Sequence, residues 1–138
     1  MTGSAKLFRA RQAMGDIVHG VALVAPDGFS ARYDLDRIRG IFSRPDHKLA
    51  GQSYVGKILV LDTAKGGVAS AWMLNEMMSR GVAPLALVFN SVNPILVQGA
   101  ALACLPMLAG FDQDITIVIP HGSEVEVNPS LRTLTVLN

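Results

Sequence analysis

The chain has 138 residues, of which 50% are hydrophobic and 17% charged, and its formal net charge is +1. So balanced a charge gives no reason to expect a nucleic acid or an anionic membrane as a partner. The length predicts a single domain over residues 1–138 with a sizeable core, and the mean hydropathy of +0.37 indicates that a partner covers part of its surface.

Hydropathy and cysteine content narrow the class of protein further. No apolar run approaches the ~20 residues of a membrane-spanning helix, and residues 1–15 lack the apolar core of a signal peptide, so we expect a cytoplasmic protein. Cys104 is the single cysteine, which excludes an internal disulfide and any four-thiolate metal or iron–sulfur site built from this chain alone. Its apolar neighbours predict a buried structural thiol.

The first fifty residues have the pattern of short strands and loops. Strands are predicted at residues 7–13 and 20–25, with shorter extended pieces at residues 33–36 and 41–42. His47 lies in a predicted loop, and no second histidine or carboxylate stands at metal-ligand spacing from it. We therefore expect His47 to form hydrogen bonds within the loop, and we predict no metal site in this chain.

The stretch from residue 57 to residue 79 carries the strongest pattern. Residues 58–61 are four consecutive apolar residues between turn-forming residues, which is typical of a buried strand. A helix is predicted over residues 68–80, with Gly81 at its C-cap. Within this helix, Trp72 is expected to pack in the core, and the alternative is a place in a subunit interface.

A glycine turn between this strand and this helix is a candidate anion site. The first N–H groups of a helix lack internal partners and carry partial positive charge, and Gly66 and Gly67 let a ligand approach the backbone. Lys65 adds a full charge, and Ser70 adds a hydroxyl. Neither GxxxxGK[ST] nor GxGxxG is present, so the expected ligand is a carboxylate or a single phosphate. The alternative is a tight strand–helix connection with a solvated lysine.

A second strand–helix unit follows the first. A strand is predicted at residues 85–89, Asn93 is expected to cap a helix over residues 95–103, and residues 105–108 are a candidate third strand. Two such units in succession predict parallel strands, whose ligands lie outside their carboxyl ends. The polar residues expected to converge there are Thr63, Asn90 and Ser91.

The C-terminal part alternates between apolar and polar residues. Strands are predicted at residues 115–119, 124–127 and 133–136. Glu124 and Glu126 fall on one strand face, so we expect them to form the solvated side of a hairpin and not a catalytic carboxylate pair. The predicted fold class is α/β, with a small parallel α/β core and an additional antiparallel β layer.

Several ungapped motifs in one order resemble the small subunit of aconitase X. They are G-x-ALV from Gly20, H-x-L-x-G-x-S-x-x-GK-I-L-V from His47, G-x-AP-x-A from Gly81 and NPI-x-x-x-GA from Asn93, and the resemblance covers roughly residues 15–137. It implies a swivelling β/β/α domain that pairs with an aconitase X large subunit. It also implies that the large subunit carries an iron–sulfur cluster, and that the complex dehydrates a small hydroxy acid such as cis-3-hydroxy-L-proline or mevalonate 5-phosphate.

One position departs from the family pattern. After the strand, the family commonly has G-[RK]-G-S-S, whose serine is the proposed catalytic group, whereas residues 65–68 of this chain are K-G-G-V. We therefore assign proton transfer to Ser70, two residues further on, because Lys65 and the N–H groups at a helix start favour an alkoxide. Lys65 and the two glycine amides would hold a substrate carboxylate, with Ser53 as a further lining residue. Alternatively, the Ser70 hydroxyl only satisfies the helix start.

Two functions remain open from the sequence. The first is the small subunit of an iron–sulfur hydro-lyase, active only with its large subunit, whose cluster would engage the substrate hydroxyl or carboxylate as a Lewis acid. The missing family serine favours a hydroxyproline-like substrate over phosphomevalonate. The second function is that of a non-catalytic swivelling module that binds a small anion, or of a regulatory partner subunit.

Overall fold

The computed structural model describes residues 6–30, 33–64 and 68–137. The described strands are β1 (Lys6–Met14), β2 (Val18–Val24), β3 (Leu35–Asp36), β4 (Ile41–Phe42), β5 (Ile58–Thr63), β6 (Ala86–Ser91), β7 (Met107–Phe111), β8 (Glu124–Asn128) and β9 (Thr133–Val136). The described helices are α1 (Val68–Ser79), α2 (Pro94–Leu102) and α3 (Ile115–Val118). None of these three helices is long and apolar enough to cross a membrane.

Seven strands form a closed barrel in the order β1-β7-β6-β5-β2-β8-β9. Strands β2, β5, β6 and β7 are parallel neighbours, and the remaining pairs are antiparallel. Strand β1 closes the ring because it pairs with both β7 and β9. The predicted α/β fold class is confirmed, and its parallel core and antiparallel layer join in one continuous barrel. Strands β3 and β4 form a separate two-stranded sheet.

The central strands are buried on both faces. Ile58 and Val60 belong to the apolar interior of the barrel, to which all seven strands contribute. Leu59 and Leu61 point the other way, into a second core that includes Leu74 of α1 and Leu96 of α2. This double burial explains why β5 is a continuous apolar run without alternation. Helices α1 and α2 therefore cover the outside of the parallel half of the barrel.

The predicted helix caps are confirmed. Gly81 lies two residues beyond the last residue of α1, has a φ of +73°, and donates its N–H to the Met78 carbonyl. At the start of α2, the Asn93 side chain accepts a hydrogen bond from Leu96 N at 2.9 Å, and Pro94 takes the first helical position. These local signals fix where both helices begin or end relative to the strands.

Three predictions about the periphery are wrong. Residues 115–119 do not form a strand, because Asp114 caps the short helix α3 and Ile115 and Ile119 turn into the barrel interior. Cys104 is exposed and has a φ of 57°. Its side chain therefore points away from the core to which Ala103 and Leu105 belong. Trp72 is 67% exposed, because it lies on the side of α1 opposite Leu74.

Candidate functional site

The carboxyl ends of β5 and β6 lie side by side, and a helix begins after each of them. Thr63 ends β5 and pairs in register with Ser91, which ends β6. Helix α1 begins at Val68 and helix α2 at Pro94. Both helix N-termini, with the partial positive charge of a helix start, therefore follow directly from this edge. We call the ends of β5 and β6 the carboxyl edge.

The predicted pair Thr63 and Ser91 is brought together at the carboxyl edge. The Ser91 hydroxyl donates to Thr63 Oγ1 at 3.1 Å. By strand alternation, both residues lie on the same face as Leu61 and Phe89, which belong to the core beneath α1 and α2. The two hydroxyls therefore sit on the side of the sheet where the helices begin, which is the side expected for an anion bound at a helix start.

Asn90 lies on the opposite face and anchors helix α3. Its Nδ2 donates to Asp62 Oδ1 at 3.0 Å and to Asp114 Oδ1 at 2.8 Å. Its Oδ1 accepts from the N–H of Ile115 at 3.0 Å. The amide thus has both of its N–H groups and its oxygen engaged within the chain, and it ties the start of α3 to the barrel end.

Asp114 accepts several of the hydrogen bonds at the start of α3. Its Oδ1 accepts from the Thr116 hydroxyl at 2.6 Å and from Thr116 N at 3.0 Å. The Thr116 hydroxyl and the Asn90 amide hold the pKa of the Asp114 carboxyl below its ordinary value. The charged carboxylate is therefore the form that this network stabilises.

Replacing Asn90 with alanine is expected to destabilise the fold by about 1–3 kcal/mol, because it strips partners from Asp62, Asp114 and Ile115 N. Urea denaturation of the isolated chain measures this change. Ser91→Ala is the matched control, since it removes one exposed hydrogen bond at the neighbouring position and is expected to stay within about 0.5 kcal/mol. Equal stability of the two variants would show that Asn90 does not anchor α3.

Ser53 is not brought to the Thr63–Ser91 pair by the contacts that the structure describes. It is exposed, and its backbone forms an isolated bridge with Ile41 of β4. Its hydroxyl accepts from Val55 N at 3.3 Å. Neither contact belongs to the carboxyl edge, so the role of Ser53 as a lining residue stays a prediction.

The predicted anion turn lies outside the described residues. Lys65, Gly66 and Gly67 fall between the described ranges, and of Ser70 only its place in the first part of α1 is described. Their roles stay predictions. Val68, at the position of the family serine, is described as the first residue of α1 and is exposed.

A partly buried charge cluster lies beside the carboxyl edge and was not predicted from the sequence. The chain after β2 runs along the end of β5, where Phe29 N donates to the Thr63 carbonyl at 2.9 Å. Arg44 clamps this segment, because its Nε donates to Asp34 Oδ1 at 2.6 Å and its Nη2 to Asp27 Oδ1 at 3.0 Å. The partners are 10 and 17 residues apart in irregular chain, so no motif spacing could reveal them.

His47 completes the cluster as a hydrogen-bonding residue, as predicted. Its Nδ1 accepts from Leu49 N at 3.0 Å, so Nε2 carries the proton and donates to the Gly28 carbonyl at 2.9 Å. The ring is buried and stacks on Phe42 at a centroid distance of 4.5 Å. His47 therefore holds the turn after β2 in place.

The environment of Asp27 favours its charged form. Burial raises the pKa of the Asp27 carboxyl, but the N–H groups of Gly28 and Lys48 lower it. The Arg44 guanidinium acts in the same direction, so the pKa of Asp27 lies below its ordinary value. The carboxylate is thus an acceptor that the fold keeps ionised.

The described residues do not fit an iron–sulfur cluster or another metal centre. Among residues 6–30, 33–64 and 68–137, no group of three or more His, Cys, Asp or Glu side chains could hold a metal ion. Cys104 is exposed beyond the C-terminal end of α2, whereas the carboxyl edge faces the N-terminal end of that helix.

One family model covers nearly the whole chain. The family model described as aconitase X swivel domain matches residues 7–136. The phosphomevalonate dehydratase small subunit of Pyrococcus abyssi is 30% identical over 88% of this chain and 92% of its own length. The protein of the same name from Archaeoglobus fulgidus is also 30% identical, over 88% of this chain and 91% of its own.

Solved structures share the same architecture. The crystal structure of Thermococcus kodakaraensis aconitase X in its holo-form matches with a TM-score of 0.88 and 24% identity, covering 96% of this chain and 99% of that one. The solution structure of a UPF0107 protein matches with a TM-score of 0.86 and 27% identity, covering 96% of this chain and 100% of the other. Because the match to aconitase X is only 24% identical in sequence, it shows a shared fold alone.

Proposed function

Because this chain belongs to the aconitase X swivel domain family, we propose that it is the small subunit of a hydro-lyase that dehydrates a small hydroxy acid. The observation that carries the proposal is the family match over residues 7–136, nearly the whole chain. The relatives' names, each a dehydratase small subunit, support the reaction class. A large subunit is then the required partner.

The chemistry proposed for this chain is substrate binding and proton transfer. The N-terminus of α1 follows directly from the carboxyl edge and favours a substrate carboxylate or an alkoxide. Thr63 and Ser91 lie at the same edge with polar hydroxyls. Lys65 and the amides of Gly66 and Gly67 would hold the carboxylate, and Ser70 would transfer the proton. The iron–sulfur cluster of the reaction is assigned to the large subunit.

Two substrates are in question. The relatives' name puts mevalonate 5-phosphate first among the acids to be tested. Val68 stands where the family pattern commonly has its serine, and this difference at the site favours a separate substrate class such as cis-3-hydroxy-L-proline. Both acids carry a carboxylate and a hydroxyl, so both suit the anion-binding edge.

The test is co-expression with the aconitase X large subunit from the same genome, anaerobic purification, and an assay on both hydroxy acids. We expect a brown complex that dehydrates one of them, with no turnover by either chain alone. A complex that assembles but turns over neither acid would favour the non-catalytic module. A colourless small subunit that never binds the large subunit would contradict the proposal.

A further inference from the structure

We propose that the groove between α1 and α2 is the surface through which this chain docks its large subunit. The groove has a volume of about 370 Å³. Its lining residues, called the helix groove below, are Val68, Ala71, Trp72, Asn75, Ile95, Gln98, Gly99 and Leu102. This inference rests on the proposed function, which supplies the large subunit as a partner.

The helix groove is an apolar surface that the chain itself leaves open. Trp72 is 67% exposed and Leu102 is 78% exposed, and Val68 and Ile95 are exposed as well. Large apolar side chains gathered in one exposed patch are typical of an interaction surface. Trp72 in particular is the kind of side chain that carries much of the energy of a protein interface.

The shape of the helix groove comes from a close contact between the two helices. A Cβ atom on Gly99 would lie only 2.4 Å from the Cβ of Ala71. The close approach of the two helices therefore requires glycine at position 99. Trp72 of α1 and Leu102 of α2 also line the groove. The groove can therefore receive an apolar side chain or helix of the partner.

The helix groove differs from the cleft beside β1 in the charge of its lining residues. None of its eight lining residues is charged, and α2 as a whole carries no charged residue. The cleft beside β1 is lined by Arg11 and Arg132 instead. Since the buried centre of a stable interface is depleted in charged residues, the helix groove fits a permanent partner better than that cleft does.

The position of the helix groove identifies the large subunit as its occupant. Val68 is the first residue of α1 and Ile95 the second residue of α2, so one end of the groove reaches the carboxyl edge. A large subunit that completes the active site has to cover this edge. Its contact surface then continues along the groove, whereas a second copy of this chain would bring no missing catalytic group to the edge.

The test uses this chain together with the large subunit and measures the dissociation constant between them. Trp72→Glu and Leu102→Glu each place a charge in the helix groove and are expected to weaken binding by about 30-fold or more. Ile17→Glu is the matched control. Ile17 is 54% exposed and does not line the helix groove. It precedes β2, which runs parallel to β5, so it lies at the end of the barrel opposite the carboxyl edge. Its variant is expected to bind like the unmodified chain.

Thermal melting of each variant shows whether folding is retained, which we expect because the substituted side chains are exposed. If the unmodified chain binds and both groove variants bind equally well, the docking proposal is overturned while the proposed function stands. If the unmodified chain does not bind the large subunit, the proposed function fails. If the isolated chain is a dimer that Trp72→Glu dissociates, a second copy occupies the groove and the docking proposal is likewise overturned.

Discussion

Replacing Ser70 with alanine is expected to lower the turnover number of the two-subunit complex by about 10³-fold, because a positioned proton-transfer group contributes on this scale. Ser70 lies near the N-terminal end of α1, at the carboxyl edge, where helix N–H groups stabilise negative charge. The measurement is steady-state kinetics on the preferred hydroxy acid. The loss should fall on kcat, since the proton moves only during the chemical step.

Ser79→Ala provides the control for this experiment. Ser79 ends the same helix, three turns from the carboxyl edge, so its variant should keep full turnover. Both variants should assemble with the large subunit as the unmodified chain does. Unchanged turnover of Ser70→Ala would remove this serine from the mechanism and leave its hydroxyl with the role of satisfying the helix start.

Replacing Arg44 with methionine is expected to destabilise the chain by about 3 kcal/mol, because it leaves a buried carboxylate without its cation. The Asp34 side chain is only 6% exposed, and Arg44 is its ion-pair partner at 2.6 Å. Urea denaturation of the isolated chain measures the loss. Arg39→Met is the control, since Arg39 faces Asp36 at 3.8 Å with its own side chain 76% exposed. That variant should stay within about 0.5 kcal/mol.

The Arg44 variant also has an expected pH signature. The pKa of Asp27 is lowered in the folded chain, so its contribution to stability is present above the ordinary carboxyl pKa and is lost as pH falls through the lowered value. Removing Arg44 removes one cause of that lowering. The acid loss of stability should therefore be shallower in the variant, although the lowered pKa of Asp114 preserves part of it. Identical slopes would contradict a role of Arg44 at Asp27.

The parts of the fold that follow from local chemistry could be predicted. The apolar run of β5, the Asn93 cap and the Gly81 terminus each depend on residues close in sequence. Residues 115–119 could not be predicted in the same way. Their β-branched alternation favours a strand, but the Asp114 cap and the contact from Asn90 give a helical turn.

The candidate site, too, could be predicted only in part from the sequence. Thr63 and Ser91 could be paired from the sequence, because parallel neighbours end at the same edge. The role of Asn90 could not, since it depends on which face of β6 meets α3. The Arg44 cluster depends on contacts between irregular segments, which no periodicity encodes. Tertiary proximity, not composition, decides these roles.

The closed barrel has a consequence for how this chain can recognise others. Each of its seven strands pairs with two neighbours in the described part of the chain, so none of them has an edge that is free along its whole length for another protein to extend. Recognition then rests on side chains, and single substitutions can retune it without disturbing the sheet. A ring of mutually bonded strands also holds the ends of β5 and β6 in a fixed register, so the carboxyl edge keeps its geometry.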